Sequence, residues 1–145
     1  QIINLLDSCV RYKFEFSIAF LDLDRFKKVN DTYGHLVGDQ ILRDFAEFLV
    51  SRVRRSDIVT RYGGEEFAVI FPYTSGENSI LALNSIRDSY SNTIQKANNV
   101  EFKVTFSAGI ANIKNYQDLE SLLAAADQAL YKSKASGGNC INLAN

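Results

Sequence analysis

A chain of 145 residues suits one domain built round one core, and its balance of 46% apolar and 23% charged residues excludes a disordered or fibrous polypeptide. A net charge of -1 gives no electrostatic reason to bind nucleic acid or a lipid surface, and no apolar run approaches the roughly 18 residues of a membrane span. One histidine and no Cys/His cluster argue against zinc and leave a hard cation held by carboxylates as the expected metal.

The stretch Gln1 to Leu6 lacks the basic leader and long apolar core of a secretory signal, so a cytoplasmic setting is expected. Cys9 and Cys140 read as two small core thiols rather than a pair. Residues 1–11 read as the tail of a helix, with Ile2, Ile3, Leu5, Leu6 and Val10 on one broad face. That helix begins without a cap, as a domain cut from a longer protein would.

Ser17 to Asp24 begins as a continuous apolar run, the mark of a strand buried on both faces. Asp22 and Asp24, two apart, share a face at its C-terminal end. Asp24 suits a helix cap, whereas Asp22 suits a metal ligand. Arg25 to Asn30 starts a short helix whose first amides point to the strand end and can bind an anion. Asp31 to Asp39 reads as a loop with two glycines, and His35 in it as a structural or solvated side chain. For Asn30 and Asp39 the ordinary roles are turn formation and N-capping; the alternative is a donor–acceptor pair that reads a guanine edge.

Asp39 opens an amphipathic helix carrying Ile41, Leu42, Phe45, Leu49 and Val53, which closes on Arg52 to Asp57. Arg54 there suits the helix dipole. Ile58-Val59-Thr60 and Phe67 to Phe71 flank Arg61-Tyr62-Gly63-Gly64-Glu65-Glu66, a β-hairpin signal in which the glycines would supply positive φ. Two adjacent carboxylates at its tip bury nothing and repel each other; an ordinary solvated turn is the plain reading.

A helix follows over residues 77–96, with Ile80, Leu83, Ile86, Tyr90 and Ile94 on a stripe. A loop over Lys96 to Asn99 leads into one long strand from Val100 to Ile113, with Gly109 as a candidate bulge. The last helix runs from about Asp118 to Ser136 and is stopped by Gly137-Gly138, with Lys132 and Lys134 in its final turn; Cys140 to Leu143 is a short strand. A hairpin inside such an alternation predicts an α/β (α+β) fold of ferredoxin-like, nucleotide-cyclase-palm type: a mainly antiparallel sheet flanked by helices. Asp22 and Glu65 would then converge.

Phe20 to Asp31, Tyr33-Gly34-His35, Gly38-Asp39, Arg61 to Phe67, Ala126-Asp127 with Ala129-Leu130-Tyr131, and Lys134 with Gly137 together resemble the GGDEF family of diguanylate cyclases. The match runs from about Ile18 to Ile141, with every motif in family order. The resemblance implies one GGDEF domain over 1–145, preceded by a sensor in a longer protein that is either cytoplasmic or attached to a membrane. It implies a homodimeric nucleotidyltransferase that condenses two GTP into cyclic di-GMP and pyrophosphate and binds no nucleic acid. It implies Mg²⁺ or Mn²⁺ held by Asp22, the Leu23 carbonyl and Glu65, with Glu65 a candidate general base and Glu66 assisting. Amides at Phe26 and Lys27 would hold the phosphates, Lys134 would reach their end, and Asn30 and Asp39 would read guanine. Arg54 and Asp57 match the family's inhibitory site for cyclic di-GMP, with Arg87 a possible second contact. Gly138 departs from a frequent basic residue, which leaves open the alternative of a catalytically silent GTP- or cyclic di-GMP-binding signalling module.

Overall fold

The computed structural model describes residues 2–11 and 14–145, without the side chains of Ile2, Leu5, Cys9 and Val10, so what was expected of those four lies outside the described residues. The elements are α1 (Ile2–Arg11), β1 (Phe16–Leu23), α2 (Phe26–Tyr33), α3 (His35–Arg52), β2 (Ile58–Arg61), β3 (Glu66–Pro72), α4 (Gly76–Ser91), β4 (Gln95–Ala97), β5 (Val100–Phe102), β6 (Phe106–Asn112), α5 (Leu119–Ala135) and β7 (Ile141–Leu143). The main sheet has the order β2-β3-β1-β6-β7, antiparallel throughout except for the parallel β6–β7 pair. None of these helices is long and apolar enough to cross a membrane.

The apolar run in β1 is explained by its central place. Ala19, Leu21 and Leu23 join the core under α2, α3 and α4, whereas Phe16 and Ile18 pack with Leu6 of α1 and with Leu122 and Ala126 of α5. Period two therefore puts Asp22 on the α5 side, opposite Glu66 of β3 and Ser107 of β6. Phe45 anchors the larger core, its ring centroid 5.1 Å from Phe67, 4.8 Å from Tyr90 and 5.2 Å from Phe106.

Four local expectations are corrected. Residues 31–39 are no loop: α2 runs to Tyr33 and α3 starts at His35, with Gly34 at φ 91 as the whole joint. The polar residues that resembled a loop are the solvent faces of two helices, and Asp39 sits inside α3 rather than capping it. Residues 100–113 are no single strand. α4 stops at Ser91, and Asn98 and Asn99 at φ 53 and 65 form a tight turn that pairs β4 with β5 in a second sheet.

Gly109 is no bulge, because the β1–β6 register runs unbroken through it. A Cβ there would strike the α5 backbone at Leu130 and Ala126, so the glycine lets that helix lie on the sheet. Gly63 and Gly64 are not left-handed either. The turn between β2 and β3 is wider than a tight hairpin and closes with Tyr62 N donating to Glu66 O at 3.1 Å. At Gly63 a Cβ would stand 2.5 Å from Glu66 Oε2, so a larger residue there would displace the Glu66 carboxylate. Gly137 and Gly138 do end α5, at φ 112 and 81.

Among the described residues, the Tyr90 hydroxyl is the buried side-chain polar atom with no hydrogen-bond partner, and burial pushes its pKa up. Tyr90→Phe removes that unpaired group at no loss of ring packing. It should stabilise the fold by about 0.5–1.5 kcal/mol in urea unfolding. A loss of stability would mean that the hydroxyl is satisfied in solution.

Candidate active site

The carboxylates of the hairpin and of β1 meet because β1 pairs with β3. Asp22 faces Glu66 in register, and Glu65 lies in the turn just before it. Lys134, in the last turn of α5, reaches into this group. Its ammonium donates to the Asp22 carbonyl at 3.2 Å, the Leu23 carbonyl at 3.0 Å and Asp24 Oδ1 at 3.0 Å, and stands 3.4 Å from Asp22 Oδ1. Burial raises the pKa of Asp22, and the Glu66 and Asp24 charges add to it against Lys134. Glu65 is raised for the same reasons: burial first, then the neighbouring Asp22 charge. Burial and the charges of Glu66, Asp127 and Asp22 push Tyr62 up to about 12.

This donor set fits a hard cation. The oxygens of Asp22 and Leu23 already converge on a positive charge, and every donor is oxygen. Among the described residues no three acidic, histidine or cysteine side chains form a cage of their own. A cation here would therefore share two carboxylates and a carbonyl with outside oxygens, as Mg²⁺ does with phosphates and water.

Asp24 has another task than helix capping. Arg25, left-handed at φ 55, precedes α2, and no side chain caps that helix. The Asp24 carboxylate instead accepts from Thr105 Oγ1 at 2.6 Å, Asn139 N at 2.7 Å, Ser107 Oγ at 2.8 Å and Lys134 Nζ at 3.0 Å. Burial opposes its charge, yet those hydrogen bonds outweigh burial and hold its pKa below the ordinary value. A Cβ on Gly138 would stand 2.9 Å from this carboxylate. That glycine is thus part of the clasp that joins β1, β6 and the end of α5.

Asn30 and Asp39 lie inside α2 and α3, so neither ordinary role assigned from sequence applies. A Cβ on Gly38 would run into Asn30 Oδ1 and stand 3.1 Å from the Phe26 ring. Gly38 therefore opens the space in which Asn30 lies, next to Asp39 in sequence. Neither side chain donates to or accepts from another described residue, which leaves an amide and a carboxylate free for a ligand. Phe26 is buried and Lys27 exposed at the uncapped start of α2, where the first amides have no intrahelical acceptor. His35 is exposed.

On the far side, Arg54 does not serve the α3 dipole. Its guanidinium contacts Asp57 at 3.1 Å and Thr74 Oγ1 at 2.6 Å, while its amide donates to Asp57 at 2.9 Å. Asp57 is 3% exposed as a result. A cavity of about 290 Å³ adjoins the pair, and Asn78 is the polar residue that α4 adds to it. Arg87 is elsewhere, donating to Asn139 and Asp88, so it is no second contact for Arg54. Cys140 is a half-buried free thiol.

Sequence reading missed Thr74, Thr105, Ser107 and Asn139. Each is an isolated small polar residue whose partner lies far away in the chain. The parity of β6 against β1, once known, is the signal that finds Ser107 opposite Asp22.

A family model described as "Diguanylate cyclase, GGDEF domain" matches residues 1–140. The diguanylate cyclase DosC of Escherichia coli is 37% identical over 128 residues, covering 88% of this chain and 28% of that protein. The response regulator PleD of Caulobacter vibrioides is 42% identical over 128 residues, covering 86% of this chain and 28% of that protein. The chain thus spans 28% of the length of these curated relatives. The crystal structure of the GGDEF domain of DgcB from Caulobacter crescentus in complex with c-di-GMP superposes with a TM-score of 0.89 at 34% identity, covering 97% of this chain and 84% of that one. The active GGEEF domain of a diguanylate cyclase from Vibrio cholerae gives 0.88 at 26% identity, covering 98% and 90%. The cyclase-palm fold expected from the element order is shared with these structures.

Removing the charge of Asp24 tests the clasp. Because its folded pKa lies below the ordinary 3.8, its stabilisation is present above that value and is lost as pH falls through the folded one. Asp24→Asn should cost about 2–3 kcal/mol in urea unfolding at neutral pH. The gap from the wild type should narrow below about pH 4. A gap independent of pH would remove the charge from the explanation.

Proposed function

The chain belongs to the GGDEF family of diguanylate cyclase domains, and from that premise we propose that it condenses two GTP into cyclic di-GMP with release of pyrophosphate. The observation that supports this most is the meeting of Asp22, Glu65 and Glu66 beside the Leu23 carbonyl and Lys134, on the strand end and hairpin that carry the family signature. Asp22, Glu65 and the Leu23 carbonyl would hold Mg²⁺ or Mn²⁺. Bound there, the metal neutralises phosphate charge and lowers the pKa of the attacking 3′-hydroxyl.

The chain's own residues do the rest. Amides at Phe26 and Lys27 receive the β- and γ-phosphates at the start of α2. Lys134, already among the oxygens of β1, reaches the terminal phosphates. Asn30 and Asp39 read guanine, whose N1–H and N2–H₂ are both donors to a carboxylate. Glu65, raised by burial and by Asp22, is the candidate base for the 3′-hydroxyl, and Glu66 assists. One domain holds one GTP, so turnover needs a second copy facing it. An upstream sensor domain in a longer protein would control that encounter.

We assign the Arg54–Asp57 turn as the product site. Arg54 offers its fork to a guanine edge or a phosphate. The DgcB relative was solved with c-di-GMP bound, which supports product binding by this fold.

Two experiments decide these assignments. Glu65→Gln, assayed with GTP and Mg²⁺ for cyclic di-GMP, should lose about 100-fold or more of the rate while the melting curve stays unchanged. Equal turnover would sink the catalytic assignment. Arg54→Ala should weaken cyclic di-GMP binding by about tenfold or more in calorimetry. An unchanged affinity in a folded variant would remove the product site from Arg54.

A further inference from the structure

Between α2 and the segment from Phe102 to Thr105 lies a cavity of about 440 Å³ that contains none of the residues assigned above to metal, guanine or product. Three cations line it: Arg25, Lys28 and Lys103. No described residue pairs with any of the three, whereas Arg87, Lys96 and Lys114 each have a carboxylate. Asp24 also lines the cavity, but four donors already occupy its carboxylate, so its charge is met inside the protein. Val29 and Val104 are buried beneath, and Tyr33 stacks on Phe102 at 4.3 Å to close one end.

Two further details point to a ligand. Arg25 adopts a left-handed backbone at φ 55, a conformation most side chains avoid, and its guanidinium gains no partner among the described residues. That backbone sets Arg25 at the uncapped start of α2, so its side chain and unbonded amides serve one rim.

We propose that this cavity is an anion subsite for a di- or triphosphate group, with Arg25, Lys28 and Lys103 as its cations. The inference deepens the cyclase reading and rests on it for one of two sources. The group is either the terminal phosphates of the GTP seated at α2 or a separate phosphoanion of the pyrophosphate type. In the first case the three cations take over the contact that Gly138, with no side chain and pressed on Asp24, does not make.

The test is calorimetric titration of pyrophosphate into the domain at low salt, in metal-free buffer so that the Asp22 group plays no part. The wild type should bind. The Lys28→Gln/Lys103→Gln variant, altered only at exposed side chains, should bind roughly tenfold more weakly or worse. Arg25→Gly, which keeps a residue at ease in left-handed backbone, should move the same way. No binding by the wild type, or equal binding by the double variant, overturns the proposal.

A GTP analogue with an α,β-methylene bridge then separates the sources. If the double variant loses affinity for the analogue but not for GMP, the site takes the substrate's own phosphates. If the analogue is unaffected and pyrophosphate still binds the analogue-saturated domain, the anion is separate. Either result supports the subsite. Because the readout is binding and not turnover, a failure here leaves the cyclase assignment standing, and a failure of Glu65→Gln leaves the cavity standing.

Discussion

The ammonium of Lys134 is the contact on which the site depends. Asp22, Asp24, Glu65 and Glu66 are drawn to one end of the sheet by strand pairing, which is indifferent to their charge. Like charges a few ångströms apart in a partly buried place repel by several kcal/mol unless something positive stands among them. Lys134 does so from the last turn of α5, where the helix C-terminus also favours a cation. Its reach is set by how closely α5 lies on the sheet, and that in turn by Gly109. A glycine in the middle of a strand and a lysine at a helix end are therefore parts of one device, although neither touches the other.

Asp22 and Asp24 show how the same side chain is given two tasks. They are two residues apart, Asp22 within β1 and Asp24 just past its end, yet their acidities move in opposite directions. Asp24 is surrounded by donors and keeps its charge as a structural group. Asp22 has fewer donors and more like-charged neighbours, so its charge is held less firmly and is available to an incoming cation. Local environment, not position along the strand, assigns the work.

Much of this was legible in the sequence, because the signals were local. A continuous apolar run marked the central strand, period 3.6 marked the helices, and Gly137-Gly138 marked the end of α5. What escaped was decided by partners far along the chain. One residue, Gly34, separates two helices so sharply that composition alone looked like a loop. Asn98-Asn99 makes a turn usually announced by glycine, so two elements merged into one expected strand. Asp24 looked like a helix cap because a cap is what an aspartate before a helix usually is; its real donors come from β6, α5 and the turn after it. Arg87 looked close to the Arg54 turn, but helical rotation points it at Asn139.

The Asp24 clasp also bears on how the chain folds. Its four hydrogen bonds span 81, 83, 110 and 115 residues, among the longest loops that this chain can close. Contacts of that span cost the most chain entropy and come after the local helices and the β2–β3 hairpin have formed. During synthesis, the last donor, Asn139, follows Asp24 out of the ribosome only after nearly the whole domain. A chain halted just short of Asn139 holds the donors Thr105, Ser107 and Lys134, yet Asp24 lacks its fourth hydrogen bond. Completion of the reactive end is thus timed by a residue 115 positions after Asp24.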